Sequence, residues 1–259
     1  MRGLTGRKDR TMEAVLLVTG ASRGIGAAIA LAGAREGYRV CVNYKRSRLA
    51  AEALAARIAN EGGHAITVQA DVGDSGAVEM LFRTIDQRLG PLTALVNNAG
   101  EYAGVNRVDE MRPEQLLETF ATNIFSYFYC SREAVRRMST KHGGKGGAIV
   151  NVSSRGATFG GLPKETHYAA SKGAVDSFTK GLAREVGGEG IRVNGVRPGP
   201  ILTDIHEVHG GYAAARAIGA TGPLGRAGEP AEIAEAVIWL LSSSASYIHG
   251  AILDATGGL

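Results

Sequence analysis

Thr19-Gly20-Ala21-Ser22-Arg23-Gly24-Ile25-Gly26 decides the fold. Three glycines spaced GxxxGxG follow a short apolar run and open a segment with helical spacing of apolar residues. Strand, tight glycine turn and helix, in that order, make a phosphate cradle. Gly20 and Gly24 remove side chains where the backbone must turn and approach a pyrophosphate. Gly26 is expected to let the helix pack close to the sheet. The helix start offers free N–H groups and the positive end of its dipole. Outward from this turn, apolar runs at 14–19, 39–44, 65–69, 94–97, 148–152, 192–196 and 251–253 read as strands. Most are continuous rather than alternating, the pattern of parallel strands buried on both faces. Amphipathic stretches at 24–36, 49–60, 76–89, 113–138, 168–186 and 230–241 read as helices, with Pro113 and Pro230 suited to first turns. The β-α-β-α order predicts an α/β fold with a doubly wound parallel sheet in three layers, α/β/α.

The chain has 259 residues, 44% of them hydrophobic and 21% charged, which suits one large α/β domain and excludes disorder for its bulk. No apolar run nears the roughly 20 residues of a membrane helix. A net charge of +4 is too small an excess to indicate a nucleic-acid surface. Cys41 and Cys130, each in an apolar segment, exclude a disulfide framework and fit free thiols in a reducing cytoplasm. Residues 1–12, with four cations and no following apolar region of signal-peptide length, are expected to be a disordered tail ahead of one domain at 13–259; Met12 is a second candidate start. The glycine-rich run 142–147 precedes a strand and reads as a connecting loop. Between Pro198 and Gly228 no strand or long helix is evident, as expected of a lid.

The second strand ends in Asn43-Tyr44-Lys45-Arg46, without the acid that usually meets a ribose 2′-hydroxyl. Lys45, Arg46 and Arg23 supply cations that suit a 2′-phosphate. NADP is therefore expected over NAD. Tyr168 and Lys172 lie four apart, on one face of a helix. A nearby ammonium favours a phenolate, and a depression of roughly two units corresponds to about 3 kcal/mol. Asn151-Val152-Ser153-Ser154 ends a strand at the sheet edge where such folds bind ligands.

Together TGASRGIG (19–26), ADV (70–72), NNAG (97–100), Asn123, NVSS (151–154), YAASK (168–172), RPGPILT (197–203) and TGG (256–258) resemble the short-chain dehydrogenase/reductases over residues 13–259. The resemblance implies a single Rossmann-type domain, a nicotinamide cofactor, and hydride transfer between it and an alcohol or carbonyl carbon. It assigns acid/base chemistry to Tyr168, lowering of that pKa and contact with the nicotinamide ribose to Lys172, and polarisation of the substrate oxygen to Ser154, with Ser153 as its rival. Asn123 would hold a water linking Lys172 to solvent. Cofactor contacts would come from Gly20, Ser22, Arg23, Gly24, Ile25, Gly26, Asn43, Tyr44, Lys45 and Arg46. Others are Asp71 and Val72 at the adenine, Asn98, Ala99 and Gly100 at its ribose, and Pro198, Ile201 and Thr203 at the carboxamide.

Two departures stand out: Ser126 where the family often has glycine, and Asp254-Ala255-Thr256 before the closing glycines. Within the family the chain looks most like bacterial glucose-dehydrogenase-like and sugar-oxidoreductase-like members, so a sugar or polyol is expected. Reduction of 3-oxoacyl carrier-protein substrates and a non-catalytic nucleotide sensor are the alternatives. Asp204, His206, Glu207, His209 and Tyr212 could bind a polyol, and Glu101, Tyr102, Arg155 and His167 could line the same mouth. The His206/His209 pair lacks a third ligand, so no metal is expected. The resemblance also implies a homotetramer, paired through helices 113–138 and 168–186 and through residues 239–259; the apolar run IFSYFYC (124–130) agrees.

Overall fold

In the computed structural model residues 14–259 are described; the expected tail, Met12 and the domain's first residue lie outside them. The chain runs β1 (Val15–Val18), α1 (Gly24–Arg35), β2 (Arg39–Tyr44), α2 (Arg48–Asn60), β3 (His64–Gln69), α3 (Ser75–Arg88) and β4 (Leu92–Asn97). It continues through α4 (Pro113–Phe120), α5 (Ser126–Met138), β5 (Gly147–Val152), α6 (Gly156–Phe159), α7 (Thr166–Val186), β6 (Ile191–Pro198), α8 (Gly211–Ala220), α9 (Pro230–Leu241) and β7 (Ile252–Ala255). The strands form one seven-stranded sheet, ordered β3-β2-β1-β4-β5-β6-β7, every pair parallel. The order reverses between β1 and β4, so a crevice opens beyond their C-terminal ends, at the glycine turn.

Strands β1, β2, β4, β5 and β6 are buried along nearly their whole length, as continuous apolar runs require, whereas the edge strands β3 and β7 are largely half-buried or exposed. In β1, Leu16 and Val18 meet the layer of α1, α2 and α9, while Val15 and Leu17 meet that of α3, α5 and α7. Helix ends follow local chemistry. Asp74 caps α3 by accepting from Ala77 N at 2.6 Å. Pro113 and Pro230 occupy first turns, as expected. Arg192 of β6 closes α9 from below, its guanidinium donating to the carbonyls of Leu240, Leu241, Ser242 and Ala245.

Two expectations need correction. The segment after Pro198 contains a 3-10 turn, Asp204–His209, and the ten-residue helix α8. Gly211, Gly219 and a run of small alanines hid its periodicity. The helix expected at 113–138 is broken by a π turn, Ala121–Phe125. There Asn123 is pulled inward, donating to Glu101 O at 2.9 Å and Ser171 Oγ at 3.0 Å. Ser126, the departure from the family's glycine, donates back to the Thr122 carbonyl at 2.5 Å. Its hydroxyl thus satisfies a carbonyl within the widened turn.

Candidate active site

The glycine turn sits on the C-terminal edges of β1 and β4. Gly20 and Gly24 have φ of +61° and +56°, in the left-handed region. At Gly20 a Cβ would stand 2.9 Å from Ala99 Cα. Gly26 acts differently from its expectation. A Cβ there would stand 2.5 Å from Asn98 Nδ2 and 2.6 Å from Gly20 O, so this glycine makes room within the turn. The residue that brings α1 close to the sheet is Gly33, where a Cβ would meet Leu16 Cδ2 at 2.5 Å. Thr19 locks the neighbouring NNAG segment: its buried hydroxyl accepts from Asn98 N at 2.9 Å and Ala99 N at 3.0 Å. Asn98 answers through its amide, which donates to Thr19 O and Gly20 O.

At the end of β2 the expected cofactor residues divide. Tyr44, Lys45 and Arg46 line the cleft, together with Ser22, Arg23 and Ile25. Asn43 does not: it is 1% exposed, its Oδ1 accepts from Gly20 N, and its Nδ2 donates to the carbonyls of Val68 and Ala70. It fastens the turn to β3. Val72 is likewise buried. Asp71 is half-exposed; it accepts from Gly73 N and pairs with Lys45 at 2.8 Å. One cation expected for a phosphate therefore already has a carboxylate. Arg23 stands 4.0 Å from Asp204, and Arg46 has no ion-pair partner among the described residues.

The central floor of the same cleft, whose volume is about 530 Å³, carries Gly100, Ser154, Tyr168 and Lys172. β5 delivers Ser153 and Ser154, and α7 delivers Tyr168 and Lys172 from one face. The serine rivalry separates by contact. Ser153 is buried and its hydroxyl donates to Lys172 O at 3.1 Å, whereas Ser154 hydrogen-bonds with Tyr168. Burial pushes the Tyr168 phenol up to about 12; hydrogen bonds from Ser154 and Tyr102 oppose that push, and the Glu165 carboxylate adds to it. Burial takes the Lys172 ammonium down to about 8, with Asp176 pulling it back up.

Lys172 shares a face of α7 with Tyr168, and its direct hydrogen bonds go elsewhere. The ammonium donates to Val152 O at 2.9 Å and Tyr127 OH at 3.3 Å, and lies 5.8 Å from the Tyr168 ring centre. Desolvation dominates at both groups, and Tyr168 is a protonated phenol at neutral pH. Asn123, expected beside Lys172, uses its side chain as a clip. Besides its two donations, its Oδ1 accepts from Glu101 N at 2.8 Å.

Pro198, Ile201 and Thr203 line the cleft, and Thr203 Cγ2 lies 3.2 Å from where a Gly24 Cβ would be. In the lid, Tyr212 donates to Asp204 at 3.0 Å, so these two polar groups satisfy each other, while Ile205, Glu207 and Val208 face the cleft. The side chains of His206 and His209 lie outside the described residues. Among the described residues no group of three or more His, Cys, Asp or Glu could hold a metal, and no helix is long and apolar enough to cross a membrane. At the mouth, Glu101 and Tyr102 line the cleft, but Arg155 turns away to the Leu259 carbonyl. His167 is buried, with Nε2 at 2.7 Å from Tyr102 O. Sequence reasoning placed Tyr102 only at the mouth. Its ring stacks on Tyr168, with centroids 4.1 Å apart. A tyrosine two residues past NNAG was the available signal.

The family model described as enoyl-(acyl carrier protein) reductase matches residues 20–259. An uncharacterized oxidoreductase of Escherichia coli, YgfF, is 46% identical over 245 residues, covering 95% of this chain and 99% of that protein. Versicolorin reductase stcU of Emericella nidulans is 38% identical over 255 residues, 94% of each chain. A short-chain dehydrogenase from Burkholderia cenocepacia, solved in complex with NADP, superposes with a TM-score of 0.88 at 34% identity, covering 96% of this chain and 99% of that one. Likeness of this extent, running through the glycine turn and the buried Tyr168–Lys172 helix, settles kinship: the chain belongs to the short-chain dehydrogenase/reductase family of oxidoreductases.

Proposed function

We propose that the protein is an NADP(H)-dependent oxidoreductase that interconverts an alcohol and a carbonyl compound, with Tyr168 as the proton-transfer group. The observation that carries this reading is the meeting of the Ser154 and Tyr168 hydroxyls above buried Lys172, in the cleft that begins at the glycine turn. The residues fit a dinucleotide. Gly20 and Gly24 hold the positive φ of a tight turn, and Gly20, Ser22, Gly24, Ile25 and Gly26, at the start of α1, line the cleft together with Lys45 and Arg46. Bound NADP(H) would supply or accept the hydride. The protein's part is binding, orientation and the proton. Ser154 donates a hydrogen bond to the substrate oxygen. Tyr168, protonated at neutral pH, gives its proton as that oxygen gains negative charge, and takes one back in the oxidative direction. Lys172, charged below about pH 8, stabilises the phenolate left behind.

For the substrate, a sugar or polyol is the first reading: carboxylates of Glu101, Asp204 and Glu207 line the cleft and would accept hydroxyl hydrogen bonds. A 3-oxoacyl thioester is the second, favoured by Ile205 and Val208, apolar and facing the same cleft. The protein is further proposed to be a cytoplasmic homotetramer. Phe125 and Phe128 of the 124–130 run are half-exposed, Phe128 lining the α5–α7 groove, and Trp239 and Tyr247 are exposed near the C-terminus.

The test is a screen of the purified protein with NADPH and NADP⁺ against aldoses, ketoses, polyols, diketones and 3-oxoacyl thioesters, alongside Tyr168→Phe. That variant should bind NADPH normally and lose roughly 10²–10⁴-fold in kcat. Near-normal turnover would remove Tyr168 from its role.

A further inference from the structure

Tyr102 is the aromatic residue of the site to which proton transfer by Tyr168 gives no task. Both rings are buried, their planes 27° apart at 4.1 Å between centroids, and the two hydroxyls hydrogen-bond to each other. The surrounding backbone is built to hold this pose. Thr119 of α4 donates to the Tyr102 carbonyl at 3.0 Å, and His167 of α7 contacts the same oxygen at 2.7 Å. The next residue, Ala103, has φ of +50°, a region residues with a Cβ seldom occupy. Its carbonyl is held by Gln115 Nε2 at 3.1 Å. Phenylalanine would serve for stacking alone. A phenol brings a donor to the Tyr168 oxygen, and a donor matters most when its acceptor is charged.

We propose that Tyr102 is a positioning residue of the proton-transfer site: its ring fixes the plane of Tyr168, and its hydroxyl donates to the Tyr168 oxygen and stabilises the phenolate. This rests on the reading of Tyr168 as the acid/base. In the reductive direction the Tyr168 O–H bond breaks, its proton forms the O–H bond of the product alcohol, and the electron pair stays on the Tyr168 oxygen. The Tyr102 proton remains on Tyr102. The other titratable groups around the pair are Glu165, just before α7, His167 and Lys172 of α7, Tyr127 of α5, and Glu101 next in the chain. Tyr102→Phe leaves all of them in place.

Removing a donor to the phenolate raises the Tyr168 pKa. The size expected for a hydrogen bond to a charged group is about 1–2 units. The ionisation is read directly, without substrate, from the fluorine resonance of a fluorinated tyrosine placed at position 168, whose more acidic phenol titrates in an accessible range. Its midpoint should move up by about 1–2 units in Tyr102→Phe. The same shift is expected in Tyr102→Met, which keeps apolar volume without a hydroxyl, so the result does not hang on one variant folding. In the enzyme with native Tyr168, oxidation of ethyl 3-hydroxybutyrate or D-glucose with NADP⁺ should show the rising limb of kcat displaced in the same direction, with KM for NADP⁺ unchanged. An unmoved midpoint in both variants overturns the proposal. An active Tyr168→Phe overturns instead the assignment beneath it, and the fluorine titration distinguishes the two failures.

Discussion

Lys172 is 2% exposed, and burial lowers its ammonium from an ordinary 10.5 to about 8. Each unit of that difference corresponds to about 1.4 kcal/mol, so holding the charge in this site at pH 7 costs about 3 kcal/mol of folding stability. Lys172→Met removes the charge and fills similar volume. The groups left behind keep partners: Tyr127 donates to Val152 O at 2.7 Å, and Asp176 stays paired with Arg197 at 2.8 Å. The variant should therefore be inactive yet more stable at pH 7, by about 3 kcal/mol, or roughly 6–12 °C in Tm for a domain of this size. The sign of the pH dependence follows from proton binding. Between about 8 and 10.5 the unfolded state holds the Lys172 proton more tightly than the folded state. Wild-type stability consequently gains on the variant as pH rises through that window, and the gap closes near its upper end. Thermal unfolding of both proteins at pH 7 and pH 10, at one protein concentration, measures this. A variant no more stable at pH 7, or a gap equal at both pH values, would refute the reasoning.

Gly26→Ala places a methyl 2.5 Å from Asn98 Nδ2 and should destabilise the protein by about 1–3 kcal/mol while weakening NADPH in a fluorescence titration; unchanged binding would show that the turn yields. Replacing Lys45 and Arg46 together with Ala should weaken NADPH at least about tenfold more than NADH, the equivalent of about 1.4 kcal/mol. The exposed Lys45–Asp71 pair is worth only about 0–1 kcal/mol and should not hold Lys45 back, so Asp71→Asn should leave the NADPH Kd within a few-fold of wild type. Phe128→Asp, which puts a charge on the α5–α7 groove, should shift light scattering from the proposed tetramer to smaller species; a wild-type monomer at micromolar concentration would contradict that proposal outright.

The parallel sheet and the helices around it were readable because they are local in cause. Continuous apolar runs mark strands buried on two faces, and glycines after the first run mark the phosphate turn. What escaped the sequence depends on contacts across the fold. The π turn at Ala121–Phe125 exists because Asn123 bonds residues at 101 and 171, far off in sequence. Gly26 looked like a helix-packing residue because its clash partner, Asn98, arrives from β4. The pairing of Lys45 with Asp71 joins the ends of two adjacent parallel strands, and it was legible only once β2 and β3 were neighbours. The Tyr168–Lys172 spacing correctly put both groups on one face, but spacing alone does not say which carbonyl an ammonium will choose. Val152 O, at the end of β5, took it.

The two ends of the cleft are built to different standards, and this bears on how substrate choice is made. On the cofactor side the polar side chains are mutually satisfied: Thr19 with Asn98 and Ala99, Asn98 with the turn carbonyls, Asn43 with Gly20, Val68 and Ala70. A change at any of these leaves a buried partner unpaired, at about 1–3 kcal/mol each. The floor is similarly constrained, since Ser153, Lys172 and Asn123 bond the backbone that carries their neighbours. On the lid, Ile205 and Val208 are 36% and 51% exposed and hold the structure together very little. Exchanging them costs little folding energy while altering the wall that a substrate meets. The two substrate readings proposed above make different demands on this wall, where Glu101, Asp204, Ile205, Glu207 and Val208 line the cleft.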